Sequence, residues 1–258
     1  ETVDMVLFVN GLPIITLELK NHWTGQTAID AQKQYRNRDL NQTLFHFGRC
    51  LAHFALDTEE AYMTTKLAGS DTFFLPFNLG NNYGKGNPPN PNGHRTAYLW
   101  QEVFSKASLA NIIQHFMRLD GSTKDPLDKR TLFFPRYHQL DVVRRLIADV
   151  SEQGVGKRYL IQHSAGSGKS NSITWLAYQL IEAYPRNTQA ANSREADRPI
   201  FDSVIVVTDR RLLDKQLRDN IKDFSEVKNI VAPAVSSADL RQSLEQGKKI
   251  VITTIQKF

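Results

Sequence analysis

The chain has 258 residues, 41% of them hydrophobic, which is enough for a packed core and suits one large domain or two ordinary ones. Its formal net charge of +5 fits a polyanionic partner without demanding one. The single Cys50 excludes an internal disulfide, no apolar run is long enough to span a membrane and no signal peptide is visible, so a cytoplasmic location is expected. The chain opens inside an apparent strand and ends abruptly at Gln256-Lys257-Phe258, and reads as an internal fragment of a longer polypeptide.

Val3 to Lys20 reads as two strands around Asn10-Gly11, a hairpin signal. On the second strand Ile14, Thr16, Glu18 and Lys20 share one face, and Ile15, Leu17 and Leu19 share the other. A two-residue Asn-Gly loop sets Asp4 opposite Leu17, on the wrong face. A three-residue loop, Val9-Asn10-Gly11 with Gly11 left-handed, sets Asp4 opposite Thr16 and diagonal to Glu18. The three-residue loop is expected, because it alone brings Asp4, Glu18 and Lys20 together. Asp4 and Glu18, with the carbonyl of Leu19, then form an oxygen set suited to Mg²⁺. Such a metal lowers the pKa of a bound water, and Lys20 orients that water or offsets charge on the phosphate. The bland alternative is a set of ordinary charged hairpin positions. Apolar residues on both faces of both strands argue for a buried sheet, in which charge needs a reason.

Asp4 followed by Glu18-Leu19-Lys20 resembles the PD-(D/E)xK nuclease core. Glu18-Leu-Lys-Asn21 followed by a short amphipathic helix resembles the R (restriction/motor) subunits of type I restriction endonucleases. The resemblance implies a Gln-x₃-Tyr motif on that helix. Ala28 to Arg36 supplies Tyr35, with Ala31 four residues before it and Gln32 three before it, so Gln32 and Tyr35 are the candidates. Otherwise they are a solvated helix face with one aromatic anchor.

Further along, His46 and Cys50 stand four apart, but no second ligand pair follows, and they read as core residues. Asn78 to Arg95 is rich in Asn, Gly and Pro and must be a surface loop. A similar segment precedes a Tyr-Leu-Trp run in the R-subunit family, seen here as Tyr98-Leu99-Trp100. Ser108 to Leu119 reads as a helix, and residues 121–130 as a linker. Pro135 then opens a helix with an apolar stripe of Leu140, Val143, Leu146, Ile147 and Val150. Tyr137 and Gln139 resemble the Q-motif of helicases, which implies that Gln139 reads the adenine edge with an aromatic stacked nearby.

Lys157 to His163 reads as a short buried strand, followed by Ser164-Ala165-Gly166-Ser167-Gly168-Lys169-Ser170 and a helix. A Gly-containing loop between strand and helix is a phosphate cradle. Lys169 reaches the β- and γ-phosphates, and Ser170 ligands Mg²⁺. His163 stands where the strict pattern has Gly, and the remainder resembles superfamily 2 helicases and translocases. After a polar excursion at 185–198, Ser203 to Asp209 reads as a buried parallel strand, Arg210 to Leu217 as a helix and Lys249 to Gln256 as another strand. Strand, loop, helix, strand, helix, strand is the order of a RecA-like half. Thr208-Asp209-Arg210 and Thr253-Thr254 resemble motifs Ia and Ib, which implies that Thr208, Arg210, Thr253 and Thr254 contact the DNA backbone. No Asp-Glu-Ala-His-like motif appears, so weak ATP binding and poor hydrolysis are expected of this stretch alone.

The fold expected is α/β: a PD-(D/E)xK nuclease-like domain at 1–120, the linker, and a first RecA-like (P-loop, superfamily 2) motor lobe at 131–258. The resemblance implies an ATP-driven translocase and Mg²⁺-dependent endonuclease acting on double-stranded DNA. It also implies methyltransferase (M) and specificity (S) subunits as partners. Two rivals stand beside it. One is a stand-alone repair helicase–nuclease; the other is a nucleotide-binding switch with an inert hairpin.

Overall fold

A computed structural model describes residues 2–186, 198–209 and 231–257. The chain divides into two compact units, residues 1–138 and 139–258. The first is built on a five-stranded sheet of β1 (Met5–Val9), β2 (Leu12–Leu19), β3 (Ala52–Leu56), β4 (Ala61–Thr64) and β5 (Leu75–Pro76), in that order across the sheet. Strands β2 and β3 are parallel, and the remaining pairs are antiparallel. A parallel pair needs a crossover, and here it carries α1 (Ala28–Arg36). Thr27 and Asp30 close a capping box at the start of α1, satisfying backbone donors that the first turn leaves orphaned.

Ala31 and Tyr35, one turn apart on α1, pack with Phe45, Ala55, Leu67 and Phe74. The other side of β3 holds an aromatic cluster. Phe54 meets Phe77, Phe104 and Phe134 edge-to-face, with ring centroids 5.1, 5.1 and 5.8 Å away. Each such contact contributes about 0.5–1.5 kcal/mol beyond the area it buries. The Asn/Gly/Pro loop also has an internal scaffold. Buried Asn87 donates from Nδ2 to the Glu59 carbonyl and to Asn78 Oδ1, while its own Oδ1 accepts from Leu79 N.

The β1–β2 register corrects both registers weighed from the sequence. The loop is the two-residue Asn10-Gly11, with φ of 50° and 79°. Positive φ at both central positions gives the turn whose twist matches a hairpin. Val9 pairs with Leu12 and Phe8 with Pro13, but Leu7 pairs with Ile15, so Ile14 is an extra residue in β2. That bulge shifts every later pair by one, placing Met5 opposite Leu17 and bringing Asp4 alongside Glu18. The three-residue loop is therefore absent, and Asp4 faces neither Thr16 nor Leu17.

Downstream in this unit α2 (Lys106–His115) is shorter than the helix expected over 108–119. Arg118–Asp120 instead forms β6, paired antiparallel with β7 (Thr131–Phe133). Residues 121–130 are the connection of that hairpin, and the division between the units falls later, after His138.

Helix α3 (Tyr137–Gln153) buries Leu140, Val143, Leu146 and Val150, the stripe its period anticipates. The second unit holds a parallel sheet in the order β8 (Val204–Thr208), β10 (Ile250–Thr254), β9 (Val231–Pro233). Helix α4 (Lys169–Leu180) packs through Ala177 on Val206, Ile250 and Ile252. Helix α5 (Ser237–Glu245) packs through Leu240 on Val251. Alternate β10 residues thus face opposite helices, which is why the strand reads as a continuous apolar run.

The buried strand expected over 157–163 is not formed: the segment has no ladder partner among the described residues, and Leu160 is 95% exposed. Its side chains are tied to α3 instead. Asp149 accepts from Lys157 Nζ at 2.7 and 2.9 Å and from the Tyr159 hydroxyl at 2.5 Å. The helix expected over 210–217 lies outside the described residues, as does most of the polar excursion at 185–198.

Candidate functional site

Asp4 and Glu18 meet where β2 leaves the sheet, and Lys20 follows Glu18 by two residues. The bulge at Ile14 puts Asp4 beside Glu18, and Asp4 Oδ2 accepts from the Leu19 amide at 2.7 Å. Glu18 has no exposed surface. One of its oxygens, Oε1, is held by the buried guanidinium of Arg38, which also donates to the Thr2 carbonyl at 2.6 Å. The other, Oε2, is buried and meets no donor among the described residues. Burial pushes the Glu18 carboxyl above its usual range. The Arg38 hydrogen bond and charge oppose that rise, and the neighbouring Asp4 carboxyl reinforces it. Lys20 Nζ donates to Gln34 Oε1 at 2.5 Å, so α1 aims the ammonium group.

A pair of carboxylates with one buried oxygen lacking a donor suits a hard divalent cation, whose charge would offset the desolvation of Glu18. Among the described residues no group of three or more His, Cys, Asp or Glu gathers, so any further ligand is a backbone oxygen or water.

The other candidates on α1 sit elsewhere. Tyr35 is fully buried, and its hydroxyl lies 2.8 Å from Thr16 Oγ1, which also meets His53 Nδ1 at 2.7 Å. This chain of hydrogen bonds pins α1 to β2 and β3 behind Glu18. Burial pushes the His53 ring down to about 4, and it is neutral near pH 7. Gln32 accepts from Arg36 Nη2 at 3.4 Å, a contact within α1. His46 and Cys50 face carbonyls, Asn41 O at 3.2 Å and Leu44 O at 3.7 Å. Sequence reasoning missed Arg38 and Gln34. Neither had a signal in the sequence: Arg38 lies beyond the end of α1, after Asn37, and the Lys20–Gln34 contact joins two separate elements.

In the second unit the loop 164–170 ends at the start of α4. Gly166 and Gly168 have φ of 71° and 79°, a left-handed backbone that glycine adopts without strain. Lys169 Nζ, exposed, donates to the carbonyls of Ser164 at 2.8 Å and His163 at 3.2 Å. Ala165 is in the exposed turn, Ser167 is buried, and Ser170 is the second residue of α4. Gln139 is buried and donates from Nε2 to the carbonyls of Gly168 at 3.0 Å and Ser167 at 3.3 Å. A Cβ added at Gly168 would collide with that amide. Gln139 therefore braces the loop. Tyr137 points elsewhere: its ring lies edge-on to Tyr98 at 5.2 Å and to Phe77 at 6.0 Å, within the first unit. At the carboxyl ends of β8 and β10, Thr208, Thr253 and Thr254 are all buried, and Thr208 Oγ1 points at the Thr253 carbonyl, 3.5 Å away. Arg210 lies outside the described residues.

Comparison with known proteins accounts for both units. Residues 1–72 match the model of the type I restriction enzyme R protein N terminus, and residues 138–258 match that of the SWI2/SNF2 ATPase. The chain is 27% identical to the type I restriction enzyme HindI endonuclease subunit of Haemophilus influenzae, across 99% of this chain and 23% of that protein. It is 24% identical to the type I restriction enzyme SauCOLORF180P endonuclease subunit of Staphylococcus aureus, across 99% of this chain and 24% of that protein. The chain thus spans about a quarter of the length of these curated relatives. No helix among the described residues is long and apolar enough to cross a membrane.

Proposed function

We infer, from the membership of residues 1–72 in the type I restriction enzyme R-protein N-terminal family, that this chain carries a DNA-cutting centre and one half of an ATP site. The reading is of a PD-(D/E)xK endonuclease coupled to a RecA-like, superfamily 2 translocase motor. Its substrate is double-stranded DNA, and methyltransferase and specificity subunits are its partners. The observation that carries it is the meeting of Asp4 and Glu18, two residues before Lys20, with Glu18 buried and its Oε2 meeting no donor among the described residues. A structural role alone does not call for two carboxylates held against each other in a sheet.

Asp4, Glu18 and the Leu19 carbonyl are the groups that would hold Mg²⁺. When bound, the ion supplies an acidified water and polarises a phosphodiester. The chain's own residues do the rest. Arg38 fixes the rotamer of Glu18, and the Leu19 amide fixes that of Asp4. Gln34 aims the Lys20 ammonium group, which is placed to orient a water or neutralise a phosphate oxygen. In the second unit the backbone N–H groups of 166–170 and the Lys169 ammonium group would hold the phosphates of ATP, and Ser170 would ligand their Mg²⁺. Gln139 braces the loop through the Gly168 carbonyl. DNA contact at the ends of β8 and β10 rests on backbone groups and on Arg210.

The test uses the full-length subunit assembled with its partners. Glu18→Gln and Asp4→Asn are expected to abolish cleavage while DNA-stimulated ATPase persists. Lys169→Ala is expected to abolish ATPase and the cleavage that depends on it. Unchanged cleavage in the hairpin variants removes the nuclease assignment, and surviving ATPase in Lys169→Ala removes the phosphate-loop assignment. Co-purification with the methyltransferase and specificity subunits separates this reading from a stand-alone repair enzyme.

A further inference from the structure

Beside the candidate cutting centre, within the same unit, lies a cleft that the function above leaves unused. Its volume is about 200 Å³, and it is walled by the ends of β2 and β3 (Lys20, Asn21, Leu56 and Thr58) and by His94 and Trp100. Clefts for drug-sized ligands run from roughly 300 to 1,000 Å³, so this one suits a single planar ring system.

Trp100 is the unusual member. It is 50% exposed, although its neighbour Leu99 and nearby Val103 are buried. The turn that carries it, Leu99–Val103, is π-helical and closes through a 2.6 Å bond from Phe104 N to the Leu99 carbonyl. Such turns are rare and concentrate at functional sites, because the widened backbone re-aims a side chain. The His94 ring stands edge-on to the indole, with centroids 6.5 Å apart. This wall is fastened to the end of β3. Thr96 Oγ1 donates to the Asp57 carbonyl at 2.7 Å, Arg95 N donates to the Thr58 carbonyl at 2.9 Å, and the Arg95 guanidinium pairs with Glu59 at 2.9 Å. The Asp57 carboxylate at the cleft is occupied by the amides of Ala28, Glu59 and Glu60.

We propose that this cleft is a stacking site for one unpaired DNA base whose backbone phosphate lies at Lys20. The assignment rests on the nuclease reading and extends it to how the substrate strand is held. An aromatic face accepts any base, and Lys20, which also lines the cleft, supplies the charge for the adjoining phosphate. Because every base has a π-face, the grip carries no sequence preference. A base reaches the cleft only after leaving the duplex stack, so single-stranded or frayed DNA is the preferred form.

The test titrates this full chain, in EDTA so that nothing is cut, with short single-stranded DNA containing 2-aminopurine, reading anisotropy and emission. Trp100→Ala is expected to weaken binding about tenfold and to remove the emission change, and Trp100→Phe to keep most of both. Equal affinity in wild type and Trp100→Ala overturns the proposal. So does Trp100→Phe binding as weakly as Trp100→Ala, since a second aromatic ring preserves stacking. A fully paired duplex is expected to bind independently of Trp100, and equal dependence for both DNAs refutes an unpaired base. Loss of subunit co-purification in Trp100→Ala with DNA binding intact would make the cleft a protein-docking face and also overturns it. Failure here leaves the cleavage defect of Glu18→Gln standing; loss of the nuclease reading is read from that variant alone.

Discussion

The buried pair of Glu18 and Arg38 gives the most demanding prediction. Arg38→Met keeps most of the unbranched stem and removes the guanidinium. Both oxygens of Glu18 are then buried without a donor among the described residues, where Oε2 already has none and Oε1 is held by Arg38. The Thr2 carbonyl also loses its donor, and Phe45 loses the cation lying 5.7 Å from its ring centre. Breaking a buried ion pair from one side costs about 3–5 kcal/mol.

The loss is pH-dependent, and its sign can be worked out. Burial holds the folded Glu18 carboxyl above 4.5, so the folded state binds its proton more tightly than the unfolded chain does. Its favourable contribution is complete below 4.5 and disappears as pH rises through the folded value. Without Arg38 that value climbs further, so Arg38→Met is expected to be most destabilised at pH 7–8 and to recover towards pH 5. The assay is urea unfolding followed by hydrogen exchange at the β2 and β3 amides, which reports the first unit alone. Glu18→Gln on the Arg38→Met background is expected to restore much of the loss. A single variant within about 1 kcal/mol of wild type at pH 7.5 would refute the buried pair, because losing even one charged hydrogen bond costs more than that. A double variant no more stable than the single would refute it as well.

Three further outcomes follow from the same geometry. His53, pushed down to about 4, is expected to stay neutral at pH 5 by NMR titration. It favours the folded state above 6.5 and loses that contribution as pH falls through about 4, the reverse of Glu18; titration near 6.5 would contradict the buried Thr16 contact. Tyr35→Phe removes the hydroxyl 2.8 Å from Thr16 Oγ1 and is expected to cost about 1 kcal/mol in urea unfolding. Cleavage should persist, and a variant that folds but does not cut would place Tyr35 in the chemistry. Gly168→Ala puts a Cβ against Gln139 Nε2 at a φ of 79°. Loss of ATP binding by calorimetry is expected, with partial recovery on adding Gln139→Ala; wild-type affinity in the single variant would show that Gln139 does not brace the loop.

Much of the fold was legible in the chain. Asn10-Gly11 announces a hairpin because few residues accept positive φ at two successive positions. Ile250–Thr254 announces a parallel strand because helices cover both its faces. Gly166 and Gly168 announce a tight turn into a helix because only glycine takes that backbone freely. These signals are local, and the physics that sets them lies within a few residues.

Tertiary structure decided what depended on distant partners. A single bulge at Ile14 determined which residue Asp4 meets, and period-2 patterning cannot place a bulge in a strand that is apolar on both faces. Packing of α1 on β2 decided that Gln34, rather than Gln32, reaches Lys20, and that Tyr35 serves the core. Tyr159-Leu160-Ile161 shows strand propensity, but propensity supplies no neighbouring strand, and Asp149 ties Lys157 and Tyr159 to α3 instead. At Glu18 the sequence by itself provided a carboxylate at a motif position. The fold determined that it is buried, half-paired with Arg38 and pressed against Asp4, because burial and charge at one atom depend on every element around it.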